Sequence, residues 1–192
     1  MGPEVFPELC TERLELCAIT RDHAEWYLRH FSIPEISEGQ GFPPPKDLDA
    51  AREELERYIV GLFEKGLGYR WGIRLKGSSD IIGSLGLYEW DKEHERAKMG
   101  YDLRPEYWGR GIMAEAMERA VRFGFEDMGL NRIEITVIAT NPRSMALAPK
   151  LGFTEEGVLR EYSKIDGAYV DEHVFSMLRK DWSGRSTGPG IV

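Results

Sequence analysis

The sequence predicts an α+β (mixed α/β) fold: a mixed β-sheet with helices on both faces. Three observations carry that reading. Short stretches alternate apolar and polar residues, as half-buried strands do. Between them lie segments whose apolar residues return at helical spacing. In the middle of the chain the order is strand, glycine-spaced turn, helix, strand, over residues 98–138.

The elements follow in order. Residues 13–19 read as a first strand, with Leu14, Leu16 and Ala18 alternating, and Thr20-Arg21-Asp22 caps a helix that runs to His30. Residues 32–47 are rich in Pro, Gly and Glu and are predicted to be largely loop. A helix over 48–66 would bury Leu55, Ile59, Leu62 and Phe63. Residues 69–75 and 81–90 form a hairpin around Lys76–Asp80. Residues 98–103 are a strand, and Ala114, Met117, Val121, Phe125 and Met128 make one helical stripe ending at Gly129. Residues 132–138 are a strand with Ile133, Ile135 and Val137 on one face. Residues 158–165 and 169–178 flank Asp166-Gly167, a two-residue hairpin signal. No repeat or interdomain linker interrupts this pattern. The expected organisation is one domain over residues 9–182 and a disordered tail over 183–192, which is rich in Gly and Ser.

Composition narrows the function classes. Apolar residues make up 42% and charged residues 30%, the balance of a water-soluble globular chain. A net charge of −8 argues against binding nucleic acid, which needs phosphate-neutralising cations, and would draw in a cationic acceptor. Cys10 and Cys17 are expected to be free buried thiols of a reducing compartment. No apolar run approaches a membrane span and no signal layout opens the chain, so a cytoplasmic protein with no membrane partner is expected. His23, His30, His94 and His173 lack metal-ligand spacing and read as surface or core side chains, with no metal implied.

The most informative stretch is Pro105-Glu106-Tyr107-Trp108-Gly109-Arg110-Gly111-Ile112-Met113-Ala114-Glu115-Ala116. A strand runs through a glycine turn straight into a helix. Such a junction aims unpaired N–H groups outward at the positive end of the helix dipole, which suits a diphosphate. Glycines at 109 and 111 let the backbone come close to a ligand. About thirty residues on, a second strand leads into Asn141-Pro142-Arg143-Ser144 and a short helix ending Lys150-Leu151-Gly152-Phe153.

This combination resembles the GNAT acetyltransferases, and within them the RimJ/RimL type that acetylates ribosomal-protein N-termini. Cys10–Leu16, Ile82-Gly83-Ser84-Leu85-Gly86, Met99-Gly100-Tyr101-Asp102-Leu103 and Leu178-Arg179-Lys180-Asp181-Trp182 add to the resemblance, which spans residues 9–182. It implies a mostly antiparallel sheet in which two central parallel strands, residues 98–103 and 132–138, splay apart. Gly100 is the expected site of the bulge that turns the first of them away. The implied activity is transfer of acetyl from acetyl-CoA to a primary amine by direct attack. Cofactor contacts fall to Tyr101, Asp102 and Leu103 through backbone for the pantetheine arm, and to Gly109, Arg110, Gly111, Ile112, Met113 and Ala114 for the diphosphate. Asn141 falls to the arm, where its bland alternative is an Asn-Pro turn; Arg110 either meets a phosphate or is solvated.

Two departures stand out. The key positions of the phosphate loop hold Trp108, Gly111 and Met113, a spelling usual for the RimJ/RimL branch. The tyrosine that reprotonates the CoA thiolate in many members is replaced by Ala148. The hydroxyl left is Ser144, as acid or only as a helix cap. The base is Glu161, two residues before the aligned Ser163 and so on the same strand face, or Glu89, or a water chain. The acceptor pocket is expected from Trp26, Phe31, Glu35, Glu38 and Phe42, with Glu89 and the Asp166-Gly167 hairpin beside it. The acceptor is a peptide N-terminus or a small cationic amine. A noncatalytic acyl-CoA-binding domain and a homodimer stay open.

Overall fold

The computed structural model describes residues 5–182. The tail expected at 183–192 lies outside the described residues. An eight-stranded sheet is built from β1 (Leu9–Cys10), β2 (Leu14–Ala18), β3 (Tyr69–Leu75), β4 (Ile81–Asp91), β5 (Arg96–Leu103), β6 (Arg132–Ile138), β7 (Thr154–Ile165) and β8 (Ala168–Leu178). Its order is β1-β2-β3-β4-β5-β6-β8-β7, with every neighbour antiparallel except β5 and β6. The helices are α1 (Ala24–Phe31), α2 (Pro34–Gln40), α3 (Leu48–Leu55), α4 (Gly61–Glu64), α5 (Ile112–Glu126) and α6 (Pro142–Lys150). A π-helical turn, Glu56–Val60, joins α3 to α4. Among the described residues no helix is long and apolar enough to cross a membrane.

Two apolar clusters, one on each sheet face, hold the layers together. On one face Trp71, Leu85, Leu87, Met99 and Phe175 pack under the α5 stripe of Met117, Val121 and Phe125. On the other, Cys17, Ile19 and Ile81 meet Tyr27, Phe31, Ile36 and Leu55 from the first three helices and Ile59 from the π-helical turn. Ala114 leaves the α5 stripe and faces the cleft described below. Cys10 is exposed and only Cys17 is buried, which corrects half of the expectation for the thiols.

Residues 32–47 are not simply loop, since α2 occupies their first half. Pro34 sits in its first turn, where the missing N–H costs nothing, and Gly41 closes it at φ 76°. Ile36 is its one buried residue, so no apolar period announces it.

The parallel pair is short. Arg96, Ala97 and Lys98 pair with Arg132, Ile133 and Glu134, and then the strands diverge. Backbone groups of β5 from Met99 to Leu103 are left unpaired by β6 on that side, and the slot opens there. The bulge is not at Gly100, which keeps regular register with Gly86. It lies in β4 between Tyr88 and Asp91, where Glu89 takes a φ of 51°. Gly100 instead makes room: a Cβ there would stand 3.0 Å from the Tyr88 ring.

Candidate active site

The slot widens into an open cleft of about 1200 Å³ between the C-terminal ends of β5 and β6. Its floor is β5, its far wall is the Gly109–Gly111 turn with α5, and its near walls are α2, α6 and the β7–β8 hairpin. Gly109 and Gly111 adopt φ of 71° and 73°, a conformation open to glycine at little cost. Gly111 is the N-cap of α5 and brings no side chain to satisfy the first N–H groups. Those donors, and the edge of β5 that β6 leaves, suit the diphosphate and amide arm of a CoA. Trp108 fixes the turn by donating to the Leu103 carbonyl at 2.8 Å. The Arg143 guanidinium stacks 3.9 Å above the Trp108 ring and so ties the turn to α6.

Tyr101, Asp102, Leu103, Gly109, Gly111, Ile112, Met113, Ala114 and Asn141 all line the cleft, as does Ser144. Arg110 does not; its guanidinium lies over Tyr107 and its carbonyl accepts from Arg13. Asn141 is the N-cap of α6: its Oδ1 accepts from the Ser144 N–H at 3.1 Å. Its Nδ2 donates to the Gly39 carbonyl, and Gln40 donates to the Tyr101 carbonyl at 2.7 Å. The end of α2 is thereby strapped across the slot. Because Asn141 caps the helix, the Ser144 hydroxyl is not the cap.

Asp102 has its backbone at the slot and its side chain on the opposite face of the sheet. There it is almost wholly enclosed and accepts four hydrogen bonds: His30 Nε2 at 2.5 Å, Arg70 at 2.6 Å, and the N–H and hydroxyl of Ser84 at 2.9 and 2.6 Å. Burial alone would push this carboxyl up. The His30 ring, Arg70 and the Ser84 hydroxyl outweigh it and bring it down to about 2. His30 Nδ1 has no partner among the described residues.

Other expected site residues lie elsewhere. Trp26 donates to the Ile81 carbonyl and stacks on His30, and Phe31 is core, so neither lines the cleft. Glu89 is exposed and pairs with Lys98 at 2.7 Å. Glu161 is exposed at φ 52° on a bulge where β7 runs from Leu159 to Ser163 while β8 runs only from Glu172 to Val170. That bulge breaks the alternation that put Glu161 and Ser163 on one face. Ser163 bonds Glu172 instead. Glu35, Glu38 and Phe42 do line the cleft, joined by Lys164 and Asp166 from the hairpin tip.

Residues 13–154 match the acetyltransferase (GNAT) domain family. The chain belongs to that family. It is an acetyl-CoA-dependent N-acetyltransferase. This GNAT chain is 35% identical over 176 residues to the uncharacterized N-acetyltransferase p20 of Bacillus licheniformis, covering 92% of this chain and 98% of that one. It is 32% identical over 186 residues to the ribosomal protein uS5-alanine N-acetyltransferase of Escherichia coli, covering 91% and 92%. The crystal structure of spermidine N-acetyltransferase from Vibrio cholerae, in complex with CoA and spermine, superposes with a TM-score of 0.79 at 24% identity, over 89% of this chain and 98% of that chain. That likeness shows a shared fold.

Sequence reasoning missed Gln40, Arg143, and the buried His30, Arg70 and Ser84. Gln40 carried one signal: it stands a residue before a glycine that ends a Pro-initiated helix. The buried group carried none, because its members come from α1, β3, β4 and β5.

Proposed function

We propose that this N-acetyltransferase acetylates a protein N-terminal α-amino group. The observation that carries the reading is the shape and charge of the acceptor end of the cleft. It is open, and Glu35, Glu38, Asp166 and Lys164 line it. Both signs of charge suit a chain that continues past its amine. The uS5-alanine enzyme of Escherichia coli, similar over nearly the whole chain, supports the same class of acceptor. The acidic pair on α2 also favours a second reading, a small polyamine.

Acetyl-CoA supplies the thioester to be attacked. The residues have three tasks. The α5 N-terminus and the β5 edge hold the donor. Glu35, Glu38 and Asp166, which line the cleft, take the amine's proton, directly or through water, in place of Glu161 or Glu89. Ser144, which lines the cleft and has its N–H held by Asn141, gives a proton to the departing sulfur.

The reading is tested by thiol release from acetyl-CoA with a peptide beginning in alanine and with spermidine. Turnover of the peptide in preference supports it. Preference for spermidine selects the second reading, and binding of CoA with release by neither acceptor overturns both.

Gly111→Val is expected to weaken CoA binding at least about tenfold, or about 1.4 kcal/mol. A Cβ at 111 has room, with Arg13 Nη2 3.5 Å away as its nearest neighbour. The strain of a β-branched residue at φ 73° displaces the turn instead, at a stability cost of about 1–2 kcal/mol. Calorimetry on the folded variant checks this; unchanged CoA affinity puts the diphosphate elsewhere.

Charge reversal of Glu35 and Glu38 to lysine is expected to raise the acceptor KM several-fold and leave CoA binding alone. Exposed charges act within about 10 Å at 0.1 M salt, so the effect should shrink as salt rises. Because the attacking amine must be neutral, kcat/KM for the acceptor should rise with pH. A KM indifferent to both salt and the double substitution moves acceptor capture to the Asp166 side.

A further inference from the structure

A buried hydroxyl in the cleft lacks a well-formed hydrogen bond. Tyr101 lies on β5 just beyond the last β5–β6 pair. It sits opposite buried Leu85, and its ring packs against the core under α5. Its hydroxyl is shut off from solvent and makes no hydrogen bond of good geometry among the described residues. The side chain beside it is Ser144, in the first turn of α6. A buried hydroxyl without a partner is unfavourable, and phenylalanine would fill the same space without that penalty. Ala148, one turn beyond Ser144, is fully buried and offers no polar atom. Burial pushes the Tyr101 hydroxyl up, so it stays a donor at neutral pH.

We propose that Tyr101 is a positioning residue for acyl transfer: with the donor bound, its O–H donates to Ser144 Oγ and leaves the Ser144 proton aimed at the departing sulfur. The inference rests on the reading of Ser144 as the thiolate's proton donor. The balance is simple. The amine nitrogen forms the C–N bond, the C–S bond breaks, and the sulfur takes the Ser144 proton. The proton shed by the amine, carried by solvent, restores Ser144. Tyr101 keeps its own proton throughout.

The test uses Tyr101→Phe, Ser144→Ala and the double variant, in thiol release from acetyl-CoA with the alanine peptide and with spermidine. Tyr101→Phe should melt no lower than wild type, bind CoA within about twofold, and lower kcat about tenfold to hundredfold, less than loss of the donor itself. In the Ser144→Ala background it should add nothing, since two groups acting as one unit are non-additive. A merely structural tyrosine would instead show a lowered melting temperature with kcat kept. A kcat within about twofold of wild type overturns the proposal, as does a loss explained by weaker CoA binding. Fully multiplicative effects in the double variant overturn it too, while leaving the acyl-transfer reading standing. A wild-type protein that binds CoA and turns over neither acceptor removes that reading, and the positioning role with it.

Discussion

Ser144→Ala is expected to lower kcat by about 10²–10⁴ and to leave CoA affinity within about twofold, the loss typical of a positioned proton donor. The geometry sharpens what the sequence left open. A serine in the first turn of a helix is usually read as a cap, and removing a cap destabilises by about 1 kcal/mol. In α6 the cap is Asn141, whose side chain accepts from the Ser144 N–H. Ser144→Ala therefore keeps the cap bond, which uses only backbone at 144, and the variant should melt near wild type. Steady-state kinetics beside thermal unfolding separates the possibilities. A kcat within about twofold of wild type assigns the proton to another group, and a lowered melting temperature with normal kcat makes the hydroxyl structural.

The largest effect on stability is expected at Asp102. Asp102→Ala should destabilise the fold by about 3–5 kcal/mol, the usual result of removing one partner of a buried ion pair. The substitution leaves the Arg70 guanidinium, His30 Nε2 and both Ser84 donors facing a void, with Asp102 and His30 each about 1% exposed. It also loosens the strand that forms the slot floor, so CoA affinity should fall with stability. Denaturant unfolding at constant slope measures the first, and a midpoint change worth under about 1 kcal/mol would refute it. Asp102 also sets a pH dependence. Its folded value near 2 lies below the unfolded value of about 3.9, so its contribution is complete above about pH 4 and is lost as pH falls toward 2. Asp102→Asn should flatten that acid limb while shifting stability at neutral pH downward.

Much of the architecture was legible because local chemistry dictates it. Asp166-Gly167 makes the two-residue turn its types demand, with φ of 48° and 85° and Ile165 paired to Ala168. The Gly109–Gly111 turn needs left-handed backbone that its glycines supply, so the strand–turn–helix junction could be read directly. The α5 stripe at 117, 121 and 125 became core for the same reason. Helix α2 was hidden because one buried isoleucine cannot make a period. At the acceptor end, Trp26 and Phe31 were indistinguishable from core side chains, and core is where they lie.

The sequence by itself determined the family, the position of the glycine turn, the parallel pair and most of the called residues that line the cleft, because each rests on a few adjacent residues with special backbone needs. Tertiary structure alone decided which charges matter. It lifted Glu161 out of the cleft on a bulge whose register depends on β8, and it paired Glu89 with Lys98. It gathered His30, Arg70 and Ser84 onto Asp102, across as many as 72 residues of chain, and set Tyr101 beside Ser144. Hydrogen bonds of this kind join groups that have no sequence relation to one another; they exist only once the sheet has fixed which strands are neighbours and which faces they share.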